Sequence, residues 1–152
     1  MTHIGSSAFR ACLDLEDVTL SANITEIGEL LFYECISLSS ITIPEKVTSI
    51  GMSAFQGTSI SSITIPAAVT HISVFVFLDC PIKKVYFNET NGWMAFLLVT
   101  QMEGNQISSN ALSNPFSAAN LLKGEFNNFY WQRVSEPEPE PTPEQTPPPE
   151  PR

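Results

Sequence analysis

One apolar motif returns four times along the chain at almost constant spacing, and no other feature restricts the fold as tightly. Ile4-Gly5-x-x-Ala8-Phe9 recurs as Ile27-Gly28-x-x-Leu31-Phe32, Ile50-Gly51-x-x-Ala54-Phe55 and Ile72-Ser73-x-x-Val76-Phe77, with starts 23, 23 and 22 residues apart. A second column keeps the same phase: Leu15-x-x-Val18-x-Leu20, Leu38-x-x-Ile41-x-Ile43, Ile60-x-x-Ile63-x-Ile65 and Ile82-x-x-Val85-x-Phe87. Pro44 and Pro66 close the two middle copies. A unit this short cannot bury its apolar face alone, so the copies must stack on one another.

Within each copy, alternation such as Val18-Thr19-Leu20 or Ile41-Thr42-Ile43 predicts a short strand with one buried face. Stacked copies then form a parallel sheet about 4.8 Å between strands, with Phe9, Phe32, Phe55 and Phe77 filling the interior. Residues 1–90 are therefore expected to be a repeat solenoid of about four coils.

These columns resemble the leucine-rich repeats of the BspA-like, Treponema pallidum type, which read approximately Leu-x-x-Ile-x-Ile-Pro-x-x-Val-x-x-Ile-Gly-x-x-Ala-Phe. Residues 38–55 match that pattern position by position, and the resemblance extends over about residues 2–90. It departs at Ser73, which replaces the glycine, and at Leu30, Leu31, Val74 and Val76, which make two turns bulkier. The resemblance implies a short α/β-horseshoe, mostly parallel β, without catalysis or cofactor. It also implies a concave sheet face on which a partner docks, and a surface or secreted protein engaged in adhesion and host-matrix contact.

The period fails after Phe87, and residues 91–135 read as a C-terminal cap that covers the open end of the last coil. Trp93, Phe96, Leu97 and Leu98 suit that task, and the aromatic run from Phe126 through Phe129, Tyr130 and Trp131 reads as a buried lid. Ser113-Asn114-Pro115 predicts a helix start and Gly124 after Lys123 a stop, giving a short helix from about Pro115 to Lys123. Residues 136–152 contain eight of the 12 prolines, alternating with five glutamates. Such a stretch cannot form a core; it reads as a disordered or stiff acidic tail able to span roughly 50 Å.

Composition excludes several function classes. A net charge of -9 repels phosphate backbones and anionic headgroups, which argues against nucleic acid and membrane surfaces. No apolar run approaches the roughly 20 residues of a spanning helix. The first residues also lack the basic start and apolar stretch of a secretory signal. The first repeat begins at Ile4 without an N-terminal cap, so the expectation is a longer gene product or a misassigned start at Met1.

Chemistry-bearing residues are few. His3 and His71 share a column with Glu26 and Ser49, but three coils separate them by roughly 14 Å, too far to share an ion. Cys12, Cys35, Thr58 and Cys80 form another column, read as small groups satisfying neighbouring backbone; no zinc-type spacing occurs. Asn23-Ile24-Thr25 and Asn88-Glu89-Thr90 fit the glycosylation pattern, which matters only in a eukaryotic secretory setting. No serine has a distinctive histidine and carboxylate setting, and no glycine-rich phosphate loop is present.

What remains is the outward half of the strands. Its candidate ligand-binding residues are Glu16, Asp17 and Thr19, then Ser40 and Thr42, then Ser62 and Thr64, then Lys83, Lys84 and Tyr86. They run from acidic through hydroxyl to basic and aromatic, a polarity suited to orienting a protein or glycan ligand. The alternative is a scaffold that self-associates through its open first coil, with the tail as spacer.

Overall fold

The computed structural model describes residues 3–96, 104–125 and 127–134. Strands β1 (Glu26–Ile27), β2 (Ser49–Ile50), β3 (Ser62–Ile65), β4 (His71–Ile72) and β5 (Lys84–Phe87) fall in the repeats. Strands β6 (Trp93–Phe96) and β7 (Asn105–Gln106), helices α1 (Ser109–Ser113) and α2 (Pro115–Asn120), a π-helical turn (Leu121–Glu125) and β8 (Tyr130–Arg133) follow.

Successive repeats pair in parallel and in phase. Glu26, Ser49 and His71 stand side by side in β1, β2 and β4, as do Ile27, Ile50 and Ile72. On the other flank β3 pairs with β5, aligning Ser62 with Lys84 and Thr64 with Tyr86. Between the flanks Phe9, Phe32, Phe55 and Phe77 stack with centroids 5.5, 5.7 and 5.8 Å apart and planes within 4°, 4° and 6°. Each inner ring thus meets an aromatic face on both sides, and Phe32, Phe55 and Phe77 are fully buried.

The bend after each Ile-Gly pair is built from overlapping β-turns rather than from a helix. In the first coil Ala8, Arg10 and Cys12 donate their N–H groups to the carbonyls of Gly5, Ser7 and Phe9. Such turns require left-handed backbone, and the repeats supply it twice each: Ser7 and Ala11, Leu30 and Glu34, Ser53 and Gly57, Phe75 and Asp79. A left-handed non-glycine residue costs about 1–2 kcal/mol, and the turn hydrogen bonds together with those between coils offset it. Phe32 N–H to Ala54 C=O at 2.9 Å and Phe55 N–H to Val76 C=O at 3.1 Å are examples of the latter. Gly51 has a separate reason: a Cβ there would sit 2.6 Å from the Glu29 nitrogen, so two coils touch through backbone.

Three expectations change. Residues 18–20 and 41–43 keep the alternating burial, with Thr19 and Thr42 exposed, but form no hydrogen-bonded strand; that ladder joins only β3 and β5. Alternation reports which side chains are buried, and here the turn bonds and the β1–β2–β4 ladder hold the spacing instead. The repeats of the described region contain no helix, so the α/β-horseshoe expectation is replaced by turns on the outer side. The helix expected over Pro115–Lys123 is α2 followed by the π-helical turn, and Gly124 lies inside that turn rather than ending it. Asn114 does act as the cap, accepting from the Phe116 and Ser117 N–H groups at 3.0 and 3.2 Å. Helix α1 (Ser109–Ser113) precedes α2, with no cap hydrogen bond from the Ser108 side chain to mark its start.

Past the repeats the pairing turns antiparallel. β8 lies between β4 and β6, with Trp131 opposite both Ile72 and Ala95, and β7 pairs with β6. Trp93 and Trp131 are buried and pack on Phe87 at 5.4 and 6.4 Å, while Lys123 donates to the Ile82 carbonyl at 3.0 Å. Leu97, Leu98, Phe126 and the proline-rich residues 136–152 lie outside the described residues.

Candidate functional site

Because side chains alternate along an extended segment, burying Ile63 and Val85, and Ile41 in part, turns the intervening residues outward. Thr42, Thr64 and Tyr86 form one outward row, and Ser40, Ser62 and Lys84 the next. Five of the ten expected residues, Ser40, Thr42, Ser62, Thr64 and Tyr86, line one shallow cleft of about 440 Å³. Tyr86 is 44% exposed at its edge, a large apolar group left in water beside a hydroxyl-lined floor. Short hydroxyl side chains lose little rotamer freedom on contact, so this floor can hydrogen-bond a ligand at small entropic cost.

The other five are distributed differently. Thr19 joins Thr42 in a neighbouring cleft of about 540 Å³. Glu16, Asp17 and Lys83 are exposed but lie outside the lining of the first cleft. Lys84 is half-buried, with Nζ 5.1 Å from the centre of the Phe116 ring. That cation–π contact, about 0.5–1 kcal/mol at an exposed site, engages the basic end of the expected charge gradient with α2. Sequence reasoning missed two residues here. Glu45 supplies the cleft's carboxylate; its signal was its place directly after Pro44, where the next repeat has Ala67. Phe116 gave no signal, because it lies outside the repeats.

The remaining polar columns serve the backbone. Cys35 Sγ and Cys80 Sγ each donate to a phenylalanine carbonyl of the preceding coil, Phe9 and Phe55, at 2.9 Å, and Thr58 Oγ1 donates to Phe55 C=O at 2.8 Å. Burial pushes the Cys35 and Cys80 thiols above the usual range, which keeps them protonated and poorly nucleophilic. His3 Nδ1 pairs with Glu26 Oε1 at 3.0 Å on the surface, whereas His71 Nδ1 lies 2.8 Å from Thr70 Oγ1. Among the described residues no three His, Cys, Asp or Glu side chains are close enough to hold a metal ion. Nor is any helix there long and apolar enough to cross a membrane.

Comparison with known proteins agrees with this geometry. The family model of the BspA type leucine rich repeat region matches residues 1–96 in six copies, over a stretch in which the sequence columns align four units. The chain is similar to a leucine rich cell surface protein from Faecalibacterium prausnitzii A2-165, with 34% identity and a TM-score of 0.55 over 58% of this chain and 23% of that one. It is also similar to a leucine-rich repeat protein from Bacteroides ovatus ATCC 8483, with 29% identity and a TM-score of 0.44 over 55% of this chain and 28% of that one. The chain thus spans about a quarter of the length of either structure. No curated protein matches it. Recurrent Ile-Gly turns, the phenyl stack and a family match covering residues 1–96 place this chain in the BspA type leucine-rich repeat family.

Proposed function

We propose that the chain is a non-catalytic binding module that presents the outward faces of its second, third and fourth coils to a protein or glycan ligand. The observation that carries this reading is the cleft of about 440 Å³ that gathers Ser40, Thr42, Ser62, Thr64 and Tyr86. In this reading residues 1–90 are a solenoid, residues 91–135 its C-terminal cap and residues 136–152 an acidic spacer. The similar cell surface protein of Faecalibacterium prausnitzii supports placing the module at a cell surface, with adhesion as its use. Glu16, Asp17, Thr19 and Lys83 would act at the margins through charge, which steers encounter more than it adds affinity.

A screen against matrix proteins and arrayed glycans tests the reading, comparing the wild-type chain with the Thr42→Arg, Thr64→Arg double variant. Both positions are exposed, so the fold should survive, as circular dichroism would verify. Loss of a bound ligand in the double variant is expected; equal binding by both chains removes the proposed surface. The scaffold alternative, self-association through the first coil with the tail as spacer, rests on the partly buried Ile4, Phe9 and Leu15.

A further inference from the structure

The hydroxyl side chains of the repeats divide into two sets. Thr48, Thr58, Ser59 and Thr70 donate to backbone carbonyls of their own or the preceding coil. Ser40, Thr42, Ser62 and Thr64, on the floor of the cleft of about 440 Å³, are exposed and have no protein partner among the described residues. Each of these hydroxyls offers one donor and two acceptor positions. Glu45 is the one charged residue in that lining, and no described group pairs with its exposed carboxylate.

Spacing restricts what can use this array. The β3–β5 ladder sets Thr64 beside Tyr86 and Ser62 beside Lys84, a strand step of about 4.8 Å. Thr42 and Glu45 also line the neighbouring cleft of about 540 Å³ together with Thr19, so the two clefts adjoin and run across the coils. A peptide lying along them turns every second side chain to the floor, a repeat of about 6.8 Å, and falls out of step with the coils. A chain of β-(1→4)-linked pyranose rings advances by one ring length per unit, close to one coil step, and carries hydroxyls along both edges.

We propose, resting on the outward face as the binding surface, that its ligand is a β-(1→4)-linked pyranose oligosaccharide without acidic groups. The chain lies across the coils, one ring to a coil, with its hydroxyls on the free serine and threonine row and one ring against Tyr86. Tyr86 is 44% exposed, and the electron-rich face of a phenol ring attracts the C–H groups of a sugar. Glu45 accepts from a ring hydroxyl or pairs with an amine. A carboxylated or sulfated chain instead meets that carboxylate and a net charge of -9.

Calorimetric titration of the full chain tests this with cellobiose, cellotetraose, the glucosamine tetramer and tetragalacturonate as probes. Cellotetraose should bind more tightly than cellobiose by about tenfold or more, since added rings reach further coils. The glucosamine tetramer should bind at least as well as cellotetraose, and tetragalacturonate should give no measurable heat. Tyr86→Ala, at an exposed position, should weaken cellotetraose by about tenfold with the circular dichroism spectrum unchanged. No binding of the neutral or amine-bearing tetramers, equal affinity for cellobiose and cellotetraose, or preference for tetragalacturonate would each overturn the proposal. Failure of the surface itself reads differently. A protein ligand lost in the Thr42→Arg, Thr64→Arg variant while the sugars give no heat overturns the oligosaccharide and keeps the surface; cellotetraose binding equally to that variant overturns both.

Discussion

Phe9, at the first coil, stacks on Phe32 through one face only and stays half-exposed; Phe77, at the last, is fully buried, and the Phe75 N–H of its turn donates to the Asn127 carbonyl. The two ends are made of equivalent repeat positions, yet Ala8 and Cys12 are exposed where Val76 is buried and Cys80 half-buried. A repeat residue is therefore not stabilising by type; it becomes so when a neighbouring coil or segment lies on both sides of it.

The largest expected contrast follows directly. Phe55→Ala, emptying a site stacked on both faces, should cost about 3–5 kcal/mol in urea unfolding. Phe9→Ala should cost about 1–2 kcal/mol, since only one face is lost from a half-buried ring. Equal costs would mean that the stack does not end at Phe9. A glycine pair gives a contrast of sign. Gly51→Ala drives a Cβ into the Glu29 backbone and should destabilise by about 1–3 kcal/mol. At Gly5 a Cβ meets nothing within 4 Å, so Gly5→Ala should be neutral or stabilise by up to about 1 kcal/mol. Thermal midpoints of the two variants moving in the same direction would break the comparison.

Smaller effects sharpen it. In the cysteine column, alkylation under native conditions should modify exposed Cys12 first, with Cys35 and Cys80 slow because burial raises their thiols. Mass spectrometry showing Cys35 reacting as fast as Cys12 would place the second coil in solvent. Past the repeats, the Asn91 backbone N–H at 2.9 Å holds the Glu89 carboxyl below its ordinary range. A depressed folded-state value means that the contribution is complete above the unfolded glutamate range, near pH 4.3, and fades as pH falls through the folded value. The stability difference between wild type and Glu89→Gln should accordingly be flat near neutrality and shrink in acid. A difference that grows on acidification would reverse the sign of the coupling.

Much of this was legible in the residues because burial imposes a pattern on side chains. The Ile-Gly and phenylalanine columns predicted which residues stack, and Asn114 announced its helix. Left-handed backbone was not legible: seven of its eight repeat positions are residues such as Leu30 and Glu34 rather than glycine, held in place by turn hydrogen bonds. Ser109–Ser113 lacks an apolar period and so concealed α1. The Lys84–Phe116 contact depends on where α2 folds back, which no local spacing encodes. Of the cleft, the outward rows were readable from alternation, whereas Glu45 enters it from the turn after Pro44.

The repeats are joined through their turns by forward-donated hydrogen bonds around one aromatic row. Residue-resolved amide exchange on the intact chain tests this most directly. Phe32, Glu34, Phe55 and Gly57, which donate across coil junctions, should exchange near the rate of global unfolding, whereas Gly5 N–H, with no described acceptor, should exchange as fast as an open chain. Rapid exchange at Phe32 and Phe55 in the folded chain would show that the coils do not lie against one another, and would contradict the account.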